Sequence, residues 1–409
     1  MQPAPAQNAT GPWRLASRAS GAQPSLILQL NARAKALAAA GRNIVFFAAG
    51  EPDFPTPAHV RRATAEAMEK GYTRYTATSG LIELRAAIAR RMQADFGLTY
   101  EPEDLIVTSG AKMALYEVFQ ATCEPGDEVL VFAPYWASYP EIVALSGATP
   151  VFVPTFAEDG FLPDPDRVRR ALTSRTRAVL LNSPGNPTGA LFDRSTLEAL
   201  ARVLEDSGAL VVSDDIYSRI LFDGRRFQNL AQLSPEWKAR TVVVNGVSKA
   251  YSMTGFRIGW AAGPRSIVSA MGCIQDQSTS SLTAFAQMGA LAALDGPQDV
   301  VEAMTAEFEK RRDLLVPGLS AVEGVECPMP AGAFYAFPSI GKLLGRRFGD
   351  RRVDSAETLA EILLEEQDVA LVPGDTFGAP EHLRLSFATS TSQVALGLQR
   401  LKEAFARMA

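Results

Sequence analysis

The chain has 409 residues, 47% hydrophobic and 21% charged, with a formal net charge of -5. That composition describes a globular protein large enough for one large and one small domain. No long basic block invites nucleic acid, and no apolar run nears the roughly 18 residues of a membrane span. Three scattered cysteines (Cys123, Cys273, Cys327) and two histidines (His59, His382) supply neither a disulfide framework, a zinc site nor a histidine triad. The polar chemistry therefore rests on Lys, Arg, Asp, Tyr and Asn, and the expected compartment is reducing and cytoplasmic.

The opening stretch MQPAPAQNATGPWRLASRASGAQ lacks a charged start followed by an apolar core. Residues 1–20 are expected to be a disordered or arm-like extension, with Trp13 its one candidate for packing. Residues 21–56 are expected to join a small domain, 57–300 to form a large domain, and 301–409 to complete the small one. In the large domain DLIVTSG, DEVLVFAP, TPVFVP, RAVLLNSP, ALVVSDD, TVVVNGV and RIGWAAG read as strands. KMALYEVFQATC and RSTLEALARVLEDSG between them read as amphipathic helices. This alternation predicts an α/β fold, its sheet largely parallel and covered on both faces, with ligands outside the carboxyl ends of the strands. From about residue 300, DVVEAMTAEFEKRRDLLVPGL predicts a helix leading into an α+β region of GAFYAFPSI, VALVPGDTFG and HLRLSFATS.

Chemistry-bearing residues collect at those strand ends. In VTSGAKMAL a strand meets Ser109, Gly110 and Ala111 before a helix opens, which makes either a phosphate seat or an ordinary connection. In APYWASYP, Trp136 stands just past a strand, to stack on a flat ring or to pack in the core. Asn186, in the turn of LLNSPGNPTGA, can donate to a ligand oxygen or simply form the turn. Asp214 ends the strand of LVVSDDIYSRILF, a costly place for a carboxylate unless a cation faces it or it caps a helix. Tyr217 can share its site, while Asp215 is expected to face the other way as a structural group. In NGVSKAYSMTGFRIGW, Lys249 lies among small residues with Arg257 eight positions on. Burial near a second cation would make that lysine a Schiff-base nucleophile; the alternatives are a snorkelling lysine and an arginine in a structural ion pair. Arg384 in HLRLSFATS is a strand arginine suited to bidentate capture of a carboxylate.

Together these residues match one cofactor, pyridoxal 5'-phosphate. Its phosphate suits the helix N-terminus and Arg257, and its ring nitrogen a carboxylate such as Asp214. Its ring oxygen suits Tyr217 and Asn186, and its aldehyde Lys249, which would then move the substrate's α-proton.

The segments AGEPDFPTP, YTRYTATSGLIELRAAIA, SPGNPTG, VSDDIY, SKAYSMTGFRIG, GAFYAFP and LRLSFATS follow one another in a familiar order and spacing. From about residue 20 onward the chain resembles the class I/II aminotransferases, in their bacterial aspartate aminotransferase branch. The resemblance implies the pyridoxal-phosphate-dependent transferase fold type I, with a mostly parallel seven-stranded sheet between helices and a smaller α+β domain. It implies that Lys249 holds the cofactor as an imine, that Asp214 pairs with the ring nitrogen, and that Tyr217 and Asn186 bond the ring oxygen. Trp136 would stack on the ring, and Gly110, Ala111, Lys112 and Arg257 would surround the phosphate, with Ser248 nearby. Tyr75 would reach the phosphate of the neighbouring subunit, which implies a homodimer with Ser278 and Thr279 near its interface. Gly50 and Arg384, with Asn186 alongside, would hold the substrate α-carboxylate.

Departures from the family pattern stand at three places. SDD replaces the usual SDE at Asp215. Gly246 occupies a position where many relatives carry a phosphate-binding serine, leaving Ser248 as the nearby hydroxyl. Ile27 stands where relatives acting on aspartate offer a small polar residue, although Lys112 matches a basic residue that some of them use for the substrate side chain. The expected activity is transfer of the amino group of an L-α-amino acid, aspartate- or glutamate-like or aromatic, to a 2-oxo acid. Two alternatives share the pattern. One is a pyridoxal-phosphate enzyme of elimination, replacement or carbon–carbon bond formation, including types acting on S-adenosylmethionine. The other, an aminotransferase-like sensor fused to a DNA-binding module, is disfavoured by the short, non-basic N-terminal extension.

Overall fold

The structure is a computed structural model that describes Leu15, Ala16, Arg18, Ala19 and residues 26–408. Trp13 and most of the expected extension over 1–20 lie outside the described residues. After a short strand β1 (Val45–Phe46), seven strands build the main sheet: β2 (Leu105–Thr108), β3 (Glu128–Ala133), β4 (Thr149–Pro154), β5 (Thr176–Asn182), β6 (Leu210–Asp214), β7 (Thr241–Gly246) and β8 (Gly259–Ala262). They correspond to the seven predicted runs. Their order is β2-β8-β7-β6-β5-β3-β4. Only β8 runs against its neighbours β2 and β7; the other pairings are parallel.

The Val- and Leu-rich runs explain why the sheet is central. Every residue of β2 and β7 is buried, and so are the interiors of β3 and β6 and residues 178–181 of β5. Strands without an alternating polar face need cover on both sides. The helix Ala111–Thr122 packs Ala114, Leu115, Val118 and Phe119 on one face, against a cluster that includes Val131, Leu180, Val212 and Val244. The helix Arg194–Leu204 puts Leu197, Leu200 and Leu204 into another cluster with Leu130, Val179 and Val211. Asp193 caps that second helix by accepting from Thr196 N.

A separate core lies around Phe308, Phe334, Tyr335, Leu363, Leu385 and Phe387, and it also takes in Val45 and Phe47 from the N-terminal side. The predicted helix from residue 300 is present as Asp299–Ser320. Beyond it come β9 (Tyr335–Ala336), a hairpin of β10 (Arg347–Phe348) and β11 (Arg351–Arg352), and then β12 (Val369–Ala370), β13 (Val372–Pro373) and β14 (Leu383–Ser386). β14 lies between β13 and β9 in an antiparallel sheet, while β1 pairs in parallel with β12. This core reaches the main sheet through Ile216 and Tyr217, just past the end of β6. The functional residues meet along that seam.

Candidate active site

Parallel pairing puts the carboxyl ends of β5, β6 and β7 side by side. Asn182 and Asp214 are register partners at the ends of β5 and β6, and Lys249 follows β7 by three residues. The cavity above them measures about 270 Å³. Of the predicted site residues, Ile27, Gly50, Ala111, Lys112, Trp136, Asn186, Asp214, Tyr217, Ser248, Lys249, Arg257 and Arg384 line it.

Asp214 is buried and caps no helix, because the chain turns rather than coils after β6. The helix-cap alternative is thereby corrected. Tyr139 donates its hydroxyl proton to Asp214 Oδ2 (2.7 Å), Ile216 N donates to Oδ1 (3.3 Å), and Asn182 Nδ2 donates to the Asp214 carbonyl (2.9 Å). Burial raises the Asp214 pKa to about 6, opposed by the Tyr139 and Ile216 hydrogen bonds and by Lys249. Asp215 faces away, as expected. It accepts from Ser213 and Asn229 at 2.6 Å each, and burial drives its pKa well up.

Lys249 is only partly exposed, and its Nζ donates to the Gly50 carbonyl at 2.7 Å. It does not snorkel. Burial lowers its pKa to about 8; Arg257 and Arg384 push the same way, and Glu51 and Asp214 oppose. With its carbonyl engaged, Gly50 has only its N–H left to offer a carboxylate. Arg257 makes no carboxylate pair among the described residues either: Nη1 donates to Thr254 O (3.0 Å) and Nη2 to Ser109 O (3.3 Å). These bonds hold it against Gly110, which has φ of 78° and where any side chain would collide with the guanidinium. Gly259 at the start of β8 lies so close to the Gly110–Ala111 peptide that it too has no room for a Cβ. No side chain caps the helix that begins at Ala111, so its first N–H groups open beside Arg257 and Ser248. An uncapped helix N-terminus beside an arginine is a seat for an anion. At Gly246 a Cβ would stand 3.0 Å from Ile258 O, so Ser248, buried at the cavity wall, supplies the hydroxyl on this loop.

Trp136 is half-buried, edge-on to Tyr139 at 5.4 Å between ring centres, and Lys112 Nζ lies 4.7 Å from its ring. Lys112 also donates to Ser138 Oγ at 3.0 Å, and burial and then Arg257 lower its pKa. Arg384 is 1% exposed. Its Nη1 donates to Asn186 Oδ1 (3.1 Å) and its Nη2 to Ala48 O (2.9 Å), while Nε has no partner among the described residues. Asn186, held through Oδ1, keeps its Nδ2 as a donor. Tyr75 is not part of this cavity and is 92% exposed. Thr279 lines an adjacent open hollow with Ser109, Thr254 and Arg257, and Ser278 ends the helix Arg265–Gln277.

Three participants escaped the sequence reading: Tyr139, Asn182 and Tyr335. All three lay within segments named in the sequence, and Asn182 carries the same signal as Asp214, a polar residue closing an apolar strand. Tyr335 gave no local signal, because its partner Tyr217 is 118 positions away.

In this cavity two buried charged groups are thus left without an ion pair among the described residues: the Asp214 carboxylate and the Arg384 guanidinium. Uncompensated buried charges cost several kcal/mol each, so the cavity is built for a ligand that supplies their opposites. A cationic ring nitrogen satisfies Asp214, a carboxylate satisfies Arg384, and a phosphate satisfies the helix N-terminus. The residues present fit pyridoxal phosphate together with an amino acid.

Fold and site define a pyridoxal-phosphate-dependent transferase of fold type I. The family model for aminotransferase class I and II matches residues 42–401, and the chain belongs to that family. Among similar proteins, the aspartate aminotransferase of Geobacillus stearothermophilus is 45% identical over 95% of this chain and 98% of its own length. The aspartate/prephenate aminotransferase of Cereibacter sphaeroides is 44% identical over 94% of this chain and 95% of its own. The crystal structure of the aspartate aminotransferase from Rhizobium meliloti superposes with a TM-score of 0.93 at 42% identity, covering 97% of this chain and all of that one. That from Thermus thermophilus with maleate gives 0.89 at 42% identity, covering 96% and 100%. The chain is a pyridoxal-phosphate-dependent aminotransferase, and the elimination and replacement alternative is not favoured.

Proposed function

We propose that this enzyme moves the amino group of a dicarboxylic L-α-amino acid to a 2-oxo acid, using the cavity between β5–β7 and the Arg384 strand. The observation that carries this reading is the pair of cations set apart in one cavity: Arg384, buried and lacking a carboxylate, and Lys112, lining it beside Trp136. When bound, pyridoxal phosphate supplies an electron sink that stabilises negative charge at the substrate α-carbon. Asp214, steadied by Tyr139 and Asn182, keeps a proton on the ring nitrogen. Tyr217 and Asn186 donate to the ring oxygen. The Ala111 and Lys112 amides, with Ser248 and Arg257, hold the phosphate, and Trp136 covers the ring and excludes water. Arg384 and the Gly50 N–H orient the α-carboxylate. Lys249 binds the cofactor, and as a free amine with a depressed pKa it carries the proton to and from the α-carbon.

The names of the similar proteins, with aspartate, prephenate and maleate among their ligands, support a two-carboxylate substrate. Ile27 in the lining favours an aromatic amino acid as a second accepted class. The test compares aspartate with phenylalanine as donor. Lys112→Ala is expected to lower kcat/KM for aspartate by roughly tenfold or more while leaving phenylalanine nearly unchanged. Equal losses for both donors would remove Lys112 from side-chain recognition.

The enzyme is further proposed to be a cytoplasmic homodimer whose small and large domains divide near residues 56 and 300. The exposure of Tyr75 and the open hollow of about 680 Å³ beside Arg257 support a partner subunit there. No helix among the described residues is long and apolar enough to cross a membrane.

A further inference from the structure

Tyr335 touches three parts of the site at once. Its hydroxyl lies 2.8 Å from that of Tyr217, its ring lies 4.6 Å under the Arg384 guanidinium, and a Cβ at Gly50 would meet its hydroxyl at 3.1 Å. It comes from β9, across the seam from the sheet that carries Tyr217 and Lys249. It is 1% exposed and packed edge-on to Tyr217 and against Phe334, so its orientation is fixed.

We infer that Tyr335 is a positioning residue that sets the donor strength of Tyr217 toward the cofactor's ring oxygen. This rests on the proposed role of Tyr217. Each phenol has one proton. If Tyr217 spends its own on the ring oxygen, the 2.8 Å contact can be a hydrogen bond only with Tyr335 donating to the Tyr217 oxygen. The two hydroxyls then form a one-way chain, Tyr335 to Tyr217 to ring oxygen, in which each bond polarises the next. The Arg384 charge over the Tyr335 ring strengthens the chain, because a nearby cation makes a phenol a better donor; Arg384 pulls the pKa of both tyrosines downward against their burial. A substrate carboxylate on Arg384 screens that charge and weakens the donation. Tyr335 therefore couples occupancy of the carboxylate site to the protonation of the cofactor.

The readout is the pH midpoint of the holoenzyme's visible absorption. With the cofactor held by Lys249, one proton would lie between the lysine nitrogen and the ring oxygen. A stronger donor to the oxygen would favour its anion and lower the midpoint. Tyr335→Phe keeps the ring under Arg384 and removes only the hydroxyl. It is expected to raise the midpoint by roughly half a pH unit, with KM for the amino acid within about twofold of wild type. Tyr335→Leu is expected to raise KM as well, through the lost support of Arg384. Tyr217→Phe should give a larger rise, and the double variant Tyr217→Phe/Tyr335→Phe no more than Tyr217→Phe alone. An unshifted midpoint in Tyr335→Phe, or additive shifts in the double variant, would overturn the inference while leaving the role of Tyr217 intact. No shift in Tyr217→Phe would instead overturn the underlying assignment of the ring-oxygen donor.

Discussion

Lys249 holds its pKa near 8 because the fold takes it out of water and sets Arg257 and Arg384 within electrostatic reach. An amine attacks an aldehyde only when neutral, so this shift has a kinetic consequence. The rate at which the cofactor-free protein takes up pyridoxal phosphate covalently should rise with pH through a midpoint near 8, well below an ordinary lysine at about 10.4. Stopped-flow absorption between pH 6 and pH 10 measures it, and a midpoint near 10 would mean the lysine is solvated when it reacts. Much of this residue-level chemistry was legible in the sequence. A lysine among small residues and an aspartate closing a Val-rich strand both stand out against their surroundings. What holds them was less legible. Tyr139 and Tyr335 reach Asp214 and Tyr217 across 75 and 118 positions of chain, and no local pattern encodes such a contact.

The helix Ala111–Thr122 serves two ends: its first turn opens on the cavity at the proposed phosphate seat, and its body packs on the sheet. Glu117 lies in that body, fully buried, with neither carboxylate oxygen bonded. Burial raises its pKa to about 8, far above the value in an unfolded chain. The sign follows from linkage. Below about pH 4 both states are protonated and there is no penalty. As pH rises toward 8 the unfolded state loses its proton first, so the folded state loses stability over that window, by up to roughly 5 kcal/mol. Glu117→Gln removes the charge and keeps the shape, so it is expected to stabilise the protein at pH 8 by roughly 1–3 kcal/mol and much less at pH 4. Urea unfolding at the two pH values measures this, and an equal effect at both would show that the carboxyl titrates normally. At this scale all seven strands were legible from their apolar runs, while the reversed direction of β8 was not. A fully buried run has the same composition whichever way it points, and the reversal follows instead from the loop 247–258, which turns back through Arg257 without a crossover helix.

At the scale of the whole molecule, a cavity lined by one chain leaves Tyr75 pointing into solvent and a hollow beside Arg257 unfilled. The proposed partner subunit would cover the first and fill the second. Subunits carrying Lys249→Ala and subunits carrying Tyr75→Ala should each be defective alone. Mixed under conditions of subunit exchange, they should regain activity, since each hybrid dimer then holds one site with both native residues. Activity no greater than the sum of the two parents would place Tyr75 outside the partner's site. The helix Asp299–Ser320 was legible from the change of pattern near residue 300. The joining of β1 to β12 across some 320 positions of chain was not, because no local pattern encodes so distant a pairing.

The proposed exchange of an amino group between a dicarboxylic amino acid and the bound cofactor is read by absorption titration of the holoenzyme with L-aspartate and then with a 2-oxo acid. Aspartate should convert the yellow cofactor band to that of the amino form, the 2-oxo acid should restore it, and Arg384→Ala should need roughly a hundredfold more aspartate for the same conversion. A cofactor band that neither aspartate nor glutamate converts to the amino form would overturn the dicarboxylic reading.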